Sequence, residues 1–366
     1  MIIPLLKPLL LLTLFSHTLA SLTPKSGSEH LLIADTGVGH RSRPVTTWRT
    51  SLRGLSTIGT NSLNLLNFGN PTPENQPIGS SGLAVDRENG HVYVATGEGI
   101  KRTDMLGGNN VTIVSESATS LAISQSKLYF GIQSTGLIKR ANLNGTNVEV
   151  FLNVSTGLDY SYTPSYIPAK ASPGGIAIDE KQGWIYWSSV TFPEDLSSIR
   201  RASFADVEKY GAQNVTAEVL VENSGYPGQM RVIWDGDEGV GRLYWVERAR
   251  YTNSPTALKR CTFSPPRPST PKPNGGYVYT PETIISSVTH PAMFFKTDGV
   301  DNMNMSITSF TVDNASGRLW FTAMSNIRVM WAKLVGMGID GANATWTVLN
   351  ENVTDIGIPV GVEYVP

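Results

Sequence analysis

The chain has 366 residues with 29 basic and 30 acidic side chains, giving a formal net charge of −1. This balance excludes a strongly basic nucleic-acid binder, and a hydrophobic content of 40% excludes a highly charged disordered chain. The single cysteine excludes both an internal disulfide and a cysteine-based zinc site.

Residues 1–20 have the pattern of a secretory signal peptide. Lys7 is the only charge, residues 9–15 are almost continuously apolar, and small residues precede a cleavage point after Ala20. The apolar run is shorter than the roughly 20 residues that cross a bilayer, so we expect no membrane span. We therefore expect a secreted protein, or one in the lumen of the secretory pathway, whose mature chain is a single domain of residues 21–366.

Eight Asn-x-Ser/Thr sequons also favour the secretory route. We expect N-linked glycans on them. They begin at Asn110, Asn144, Asn153, Asn214, Asn304, Asn314, Asn343 and Asn352.

The rest of the chain repeats a unit of four short strands. In one copy, residues 175–179 form a small apolar strand, an Asp-x-x-x-Gly turn follows, and residues 183–187 form a strand rich in Tyr and Trp. Residues 199–201 supply a third strand with Ile and Arg, and a β-branched fourth strand resembles residues 111–114 of another copy. Four strands per unit at this period predict the blades of a β-propeller.

The sixth unit is divided between the two ends of the chain. Residues 31–35 match the aromatic strand, and residues 357–365 match a first strand. The sequence therefore predicts an all-β, six-bladed propeller that is closed by pairing of the C-terminal strand with the N-terminal blade, which removes exposed sheet edges.

This repeat resembles the YWTD propeller of the low-density-lipoprotein-receptor class B family. Its best matches are Tyr186-Trp187 and Tyr244-Trp245. The aspartate that closes the YWTD motif is kept at Asp35, whereas the equivalent places hold Thr96, Ile132, Ser189, Glu247 and Ala323. No cysteine-rich modules flank the repeat, so the resemblance implies the fold and not the receptor function.

Most of the long insertions fall on one face of such a propeller. Loops from strand two to three and from strand four to the next blade share that face, and five of them are long: 36–44, 153–173, 188–198, 247–256 and 286–308. One Pro-rich insertion, 264–281, falls on the opposite face and is interpreted as a solvated arm.

The loop-face insertions are rich in aromatic and Met residues, which leaves two interpretations open. The loops bury their own aromatic side chains over the ring, or they form an apolar pocket at the axis. For a pocket, we predict substrate-binding walls from Tyr162, Tyr166, Phe192, Tyr251 and Phe294. The predicted catalytic polar contacts are His40, Arg41, Arg248 and His290.

The sequence contains no constellation for nucleophilic or metal chemistry. No Gly-x-Ser-x-Gly motif and no His pair with ligand spacing is present, and Asp235-Gly236-Asp237 suits a plain hairpin better than a calcium loop. We therefore expect no cofactor and no metal.

Three functions remain open. The chain is similar to secreted propeller-type hetero-Diels–Alderases of fungal tropolone–sesquiterpenoid pathways in its size, signal peptide, blades and sequons. That resemblance implies a cofactor-independent cycloaddition between a tropolone o-quinone methide and a cyclic terpene, accelerated by proximity, with apolar small molecules as partners. The first alternative is a non-enzymatic propeller that binds a protein or glycan on its loop face, and the second is a lactonase-like hydrolase with a carboxylate-lined metal site.

Overall fold

The computed structural model describes about two thirds of the chain. The described residues are 30–35, 50–56, 62–69, 82–155, 172–190, 197–222, 224–235, 239–248, 256–264, 266–267, 269–271, 277–290, 293–297, 300–324, 332–339, 346–350 and 359–365. The predicted signal peptide, residues 1–20, lies outside them.

Short antiparallel strands make up most of this part of the chain. In order, they are β1 (His30–Asp35), β2 (Thr50–Ser56), β3 (Ser62–Gly69), β4 (Leu83–Asp86), β5 (His91–Ala95), β6 (Ile100–Asp104), β7 (Val111–Val114), β8 (Ser120–Ser124), β9 (Lys127–Ile132), β10 (Leu137–Asn142), β11 (Glu149–Asn153), β12 (Ser172–Asp179), β13 (Trp184–Val190), β14 (Ser198–Ser203), β15 (Glu218–Val221), β16 (Tyr226–Trp234), β17 (Gly241–Arg248), β18 (Ala257–Ser264), β19 (Pro266–Arg267), β20 (Ser269–Pro271), β21 (Tyr277–Tyr279), β22 (Glu282–Ser286), β23 (Phe294–Thr297), β24 (Val300–Asn304), β25 (Ser306–Asp313), β26 (Arg318–Met324), β27 (Ala332–Gly338), β28 (Trp346–Asn350) and β29 (Pro359–Val365). One short helix, α1 (Phe204–Tyr210), begins after Ser203, whose side chain accepts a hydrogen bond from the Asp206 amide.

Five sheets have the predicted four-stranded form. They are the terminal sheet (β29-β1-β2-β3), the second sheet (β4 to β7), the third sheet (β8 to β11), the fourth sheet (β12 to β15) and the sixth sheet (β25 to β28). The fifth sheet contains β16, β17, β18, β19 and β22, and the pairs β20-β21 and β23-β24 form separate two-stranded ribbons.

The prediction of a six-bladed propeller therefore needs correction. The structure has five four-stranded blades, and the fifth sheet departs from that form because the outer edge of β18 pairs with both β19 and β22. Thr262 and Phe263 of β18 pair with β19, whereas residues 257–260 pair with β22. The Pro-rich insertion causes this departure, since it places an extra strand on β18 before the chain returns as β22.

The two ends of the described chain meet in the terminal sheet. β29 pairs antiparallel with β1, so that Leu31 lies opposite Tyr364 and Ile33 lies opposite Val362. This is the pairing that the split sixth unit predicts.

Apolar clusters fill the space between sheets, and within the described residues each of six clusters joins two of the six large sheets. Representative members are Leu32 with Leu83, Ala95 with Leu121, Ala122 with Ile176, Ala177 with Met230, Val246 with Ile307, and Trp320 with Leu31. Each large sheet is therefore covered on both faces, which explains why β5 buries the consecutive residues Val92, Tyr93 and Val94 instead of alternating.

The predicted Asp-x-x-x-Gly turns connect the first two strands of several sheets. Asp86 accepts a hydrogen bond from the Asn89 amide at 3.1 Å, and Asp179 accepts one from the Gln182 amide at 3.2 Å. Gly90 and Gly183 have φ values of 67° and 71°, which side chains other than glycine rarely adopt.

Candidate functional site

A small cavity lies where the inner strands β4, β8, β12, β16 and β29 come together. Its volume is about 220 Å³. Its lining is mostly small and β-branched, and it includes two charged side chains, Arg231 and Glu363. The cavity therefore combines a narrow apolar wall with a pair of opposite charges.

Arg231 and Glu363 stand at a position where the other inner strands have small or uncharged residues. The strand pairings place Arg231 opposite Tyr244 and Glu363 opposite Leu32. The matching residues of the other sheets are Ala84, Ala122, Ala177 and Thr311.

The two charges form an ion pair between β16 and β29. The side chains are only 24% and 11% exposed for Arg231 and Glu363, respectively. Burial and the nearby Arg87 guanidinium lower the pKa of Arg231 to about 10, so it remains a cation at neutral pH. A pair this far removed from water is costly to break, because either charge alone would remain desolvated.

A polar network fixes β25 between β16 and β29. The side-chain oxygen of Gln229 accepts hydrogen bonds from the Ser309 hydroxyl at 2.6 Å and from the Phe310 amide at 2.8 Å. The Ser309 oxygen in turn accepts from the Val362 amide at 2.9 Å, and the Thr311 hydroxyl oxygen accepts from the Tyr364 amide at 3.2 Å. The polar groups beside the axis thus hold three inner strands together.

Further from the axis, three sheets repeat a row of tyrosine, arginine and glutamate across strands two, three and four. The rows are Tyr129, Arg140 and Glu149 in the third sheet, Tyr186, Arg201 and Glu218 in the fourth, and Tyr244, Arg260 and Glu282 in the fifth. The arginine–glutamate contacts are 2.6 Å at Arg140 and 2.8 Å at both Arg201 and Arg260. Burial raises the pKa of each tyrosine, and the neighbouring guanidinium opposes that rise. These rows explain why the repeat keeps Tyr on one strand and Arg on the next.

The second sheet begins this row with Tyr93 and Arg102 but ends it differently. Burial raises the pKa of Tyr93 to about 12. Val111 occupies the register position opposite Arg102 where the three other sheets have glutamate. Among the described residues, no carboxylate forms an ion pair with Arg102.

The positions of the missing YWTD aspartate are filled in several ways. The Thr96 hydroxyl donates to the Gly99 carbonyl at 2.9 Å, and Glu247 pairs with Lys259 at 2.6 Å. Ile132 and Ala323 are buried within apolar clusters. Apolar packing, a local hydrogen bond or an ion pair thus takes the place of the aspartate at these four positions.

Two of the predicted catalytic residues are described: Arg248 is partly exposed and His290 is buried. Arg248 donates to the Thr308 carbonyl at 3.2 Å, and burial lowers its pKa. His290 is 4% exposed, burial lowers its pKa, and its carbonyl accepts a hydrogen bond from the Met293 amide at 2.9 Å. The Arg248 bond joins β17 to β25, and the His290 bond lies within the segment between β22 and β23.

The remaining predicted pocket residues are not tested by the structure. His40, Arg41, Tyr162, Tyr166, Phe192 and Tyr251 lie outside the described residues, and Phe294 is described only as part of the strand β23. Met293 and Met305 of the same insertions are buried in the cluster between the fifth and sixth sheets. For these two methionines, the interpretation in which the loops bury their own apolar side chains is confirmed.

Two further observations concern the candidate metal site at Asp235 and the possibility of a membrane-spanning helix. The Asp235 amide donates to the Val240 carbonyl at 2.8 Å, as a plain hairpin requires, and no group of three or more His, Cys, Asp or Glu side chains within the described ranges could hold a metal ion. No helix in this part of the chain is both long and apolar enough to cross a membrane.

Sequence analysis did not single out Arg231, Gln229 or Glu363. The signal was present, because residues 230–233 carry a charge at the place where residues 176–179 carry Ala177. Comparing the inner strands position by position would have found it.

The fold and the repeated rows define the class: this is an all-β propeller with YWTD-like repeats. Among curated proteins, the chain is 23% identical over 192 residues to low-density lipoprotein receptor-related protein 1 from Pyricularia oryzae (strain 70-15), a match that covers 46% of this chain and 56% of that protein. The chain thus spans little more than half the length of this relative. Among solved structures, a chain of the nidogen/laminin complex superposes with a TM-score of 0.57 at 16% identity, covering 92% of this chain and 98% of that one. No protein-family model matches the sequence.

Proposed function

We propose that this protein is a non-enzymatic propeller that binds a protein partner on the face formed by its long loops. The proposal rests on the volume of the cavity at the propeller axis and on the pairing of its two charges. A cavity of about 220 Å³ is smaller than the roughly 300–1,000 Å³ typical of small-molecule sites. Its two charged groups are already paired with each other, so the axis is a structural element that leaves recognition to the outer surface.

The curated relative supports this choice. It is described as a receptor-related protein, and the solved relative belongs to a complex between two proteins. By contrast, the predicted cycloaddition needs a pocket that holds two apolar reactants, and no observation in the described part of the chain favours one. The cyclase stays a prediction without support.

We also propose that the sheets close into a six-membered ring and that the protein is secreted. The ring is supported by the β1–β29 pairing and by the apolar clusters that join each large sheet to two others. Secretion is supported by the sequence of residues 1–20 and by the eight sequons.

The test maps which face of the full-length protein contacts other proteins. The protein is incubated with the secreted proteins of its source cells and cross-linked, and the cross-linked residues are identified by mass spectrometry. We expect cross-links to concentrate on the loop face. We also expect the triple variant Glu98→Arg, Gln133→Arg and Val288→Arg to lose them, since these three exposed residues lie in loops of that face.

The matched control places the same charge on the opposite face. Glu88→Arg and Ala315→Arg change exposed residues in turns between first and second strands, and this variant should keep the cross-links. A parallel incubation with a tropolone o-quinone methide precursor and a cyclic terpene tests for turnover. Product above background, or cross-links that respond to the control variant instead, would overturn the proposal.

A further inference from the structure

Exposed apolar side chains concentrate on the rims of two sheets. Of the six large apolar side chains exposed in the described part of the chain, four belong to the outer turns and strands of the second and third sheets. Leu106 is 72% exposed, and Val111, Val148 and Val150 are 42–43% exposed. We call these four residues the rim patch. The outer strands β7 and β11 also present unpaired backbone groups, so an uncovered rim patch would promote edge-to-edge association.

The segments that carry the two halves of the rim patch pack against each other. The turn between β10 and β11 packs on β7 so closely that a Cβ on Gly145 would lie 2.1 Å from the Ile113 carbonyl oxygen. The Tyr93 hydroxyl donates to the Leu143 carbonyl of the same turn at 3.1 Å. One cover could therefore shield both sheets.

Two sequons border the rim patch. Asn110 directly precedes Val111, and Asn144 stands in the turn that packs on β7; both are exposed. The Asn144 side-chain oxygen accepts hydrogen bonds from the Thr146 amide at 3.1 Å and the Thr146 hydroxyl at 2.7 Å. Within the described residues, the Nδ2 atom of neither asparagine donates a hydrogen bond. This nitrogen, to which a glycan would be attached, is therefore available at both sites.

The other sequons whose side chains are described use this nitrogen in the fold. Asn153 Nδ2 donates to the Gln213 side chain at 2.8 Å. Asn214 Nδ2 donates to the Tyr210 carbonyl at 3.1 Å, and Asn314 Nδ2 donates to the Trp234 carbonyl at 2.6 Å. A sugar on any of these three nitrogens would have to fit beside a hydrogen-bond acceptor that the fold has already placed there.

We propose that Asn110 and Asn144 carry N-linked glycans that cover the rim patch. In the modification, Nδ2 bonds to the anomeric carbon of an oligosaccharide, the glycosyl–phosphate bond of its lipid-pyrophosphate donor breaks, and Nδ2 loses one proton as the lipid pyrophosphate leaves. Both sites lie in connections between strands three and four, on the face opposite the long loops. The glycans therefore leave the proposed docking face free, and the inference stands independently of the partner.

The first experiment measures occupancy on the full chain secreted from a eukaryotic host. Peptide-N-glycosidase in ¹⁸O-water converts each glycosylated asparagine to labelled aspartate, and mass spectrometry reads each site. We expect high occupancy at Asn110 and Asn144 and lower occupancy at Asn153, Asn214 and Asn314. An unmodified Asn110 or Asn144 would overturn the proposal.

The second experiment tests the covering role without any substitution. The folded, secreted protein is deglycosylated, and its elution on a sizing column is compared before and after at equal concentration. We expect a shift toward larger assemblies. The variant Asn110→Gln with Asn144→Gln should show the same shift, whereas Asn214→Gln with Asn314→Gln should not.

A rescue separates covering from a defect in folding. Val111→Glu and Val148→Thr remove apolar surface from the rim patch, and the new glutamate lies opposite Arg102 as in the other rows. Added to the Asn110 and Asn144 variant, they should restore the original elution. Unchanged elution after deglycosylation, or association that persists after the rescue while the melting temperature equals that of the parent, would refute the covering role.

Discussion

The ion pair between Arg231 and Glu363 should be a major contributor to the stability of the fold. Glu363→Gln keeps the shape of the side chain and leaves the Arg231 cation without its partner beside the axis. Breaking a buried pair costs about 3–5 kcal/mol, and we expect about 3 kcal/mol because Arg231 is 24% exposed. Urea unfolding followed by tryptophan fluorescence measures this loss as a lower midpoint with an unchanged slope.

A double-mutant cycle separates the pair from its surroundings. Arg231→Met with Glu363→Gln removes both charges, so the combined loss should be smaller than the sum of the single losses by about 1–3 kcal/mol. The pair of Lys101 and Glu98, whose glutamate is 52% exposed, is the control, and Glu98→Gln should cost less than about 1 kcal/mol. Glu363→Gln with wild-type stability, or a double variant whose loss equals the sum, would refute the role of the pair.

Three further predictions concern single residues. Gly175→Ala would place a Cβ 2.0 Å from the Gly228 carbonyl oxygen, and it should lower the free energy of urea unfolding by up to about 3 kcal/mol. At Gly183 a Cβ would meet no atom within 4 Å, but the backbone has a φ of 71°. Gly183→Ala should therefore lower the free energy of unfolding by only about 1–2 kcal/mol. Burial lowers the pKa of His290 below 6.5, so the unfolded chain binds the proton more readily than the folded protein. The free energy of unfolding should therefore fall as the pH drops below that value. The variant His290→Asn should flatten this pH dependence, and an unchanged stability profile would contradict the reasoning. Burial raises the pKa of the Cys261 thiol to about 12, so iodoacetamide should label it only after unfolding, and rapid labelling of the folded protein would contradict its burial.

The strand pattern could be predicted because each strand has a local signal. The Asp-x-x-x-Gly turns fix the connection between β12 and β13, and the aromatic strand that follows is buried as expected. The division of one blade between the two ends of the chain could also be predicted, because residues 31–35 and 357–365 match complementary positions of one repeat. Such signals depend on neighbours in the chain, and they survive in a single sequence.

The pair of charged residues at the axis could not be predicted from the sequence in the same way. Arg231 and Glu363 are far apart in the sequence and lie in sheets that β25 separates, so their pairing depends on the tertiary packing of several sheets. The predicted ligand contacts of Arg248 and His290 stay a prediction, because most of the loop residues predicted to surround them lie outside the described residues. The extra strand β19 was missed because its two residues, Pro266 and Arg267, have no strand signal of their own.

The pairing of β1 with β29 determines when the protein can finish folding. β1 emerges first during synthesis and finds its partner only when almost the whole chain has been made, so the loop that must close is nearly as long as the protein. Until then, Leu31 and Ile33 lack the cover that Tyr364 and Val362 later supply. Translation therefore leaves a long interval in which an apolar N-terminal strand is open to chaperones and to other nascent chains. A circular permutant that joins the two ends by a short linker and opens the chain elsewhere would bring these strands together early and should fold faster.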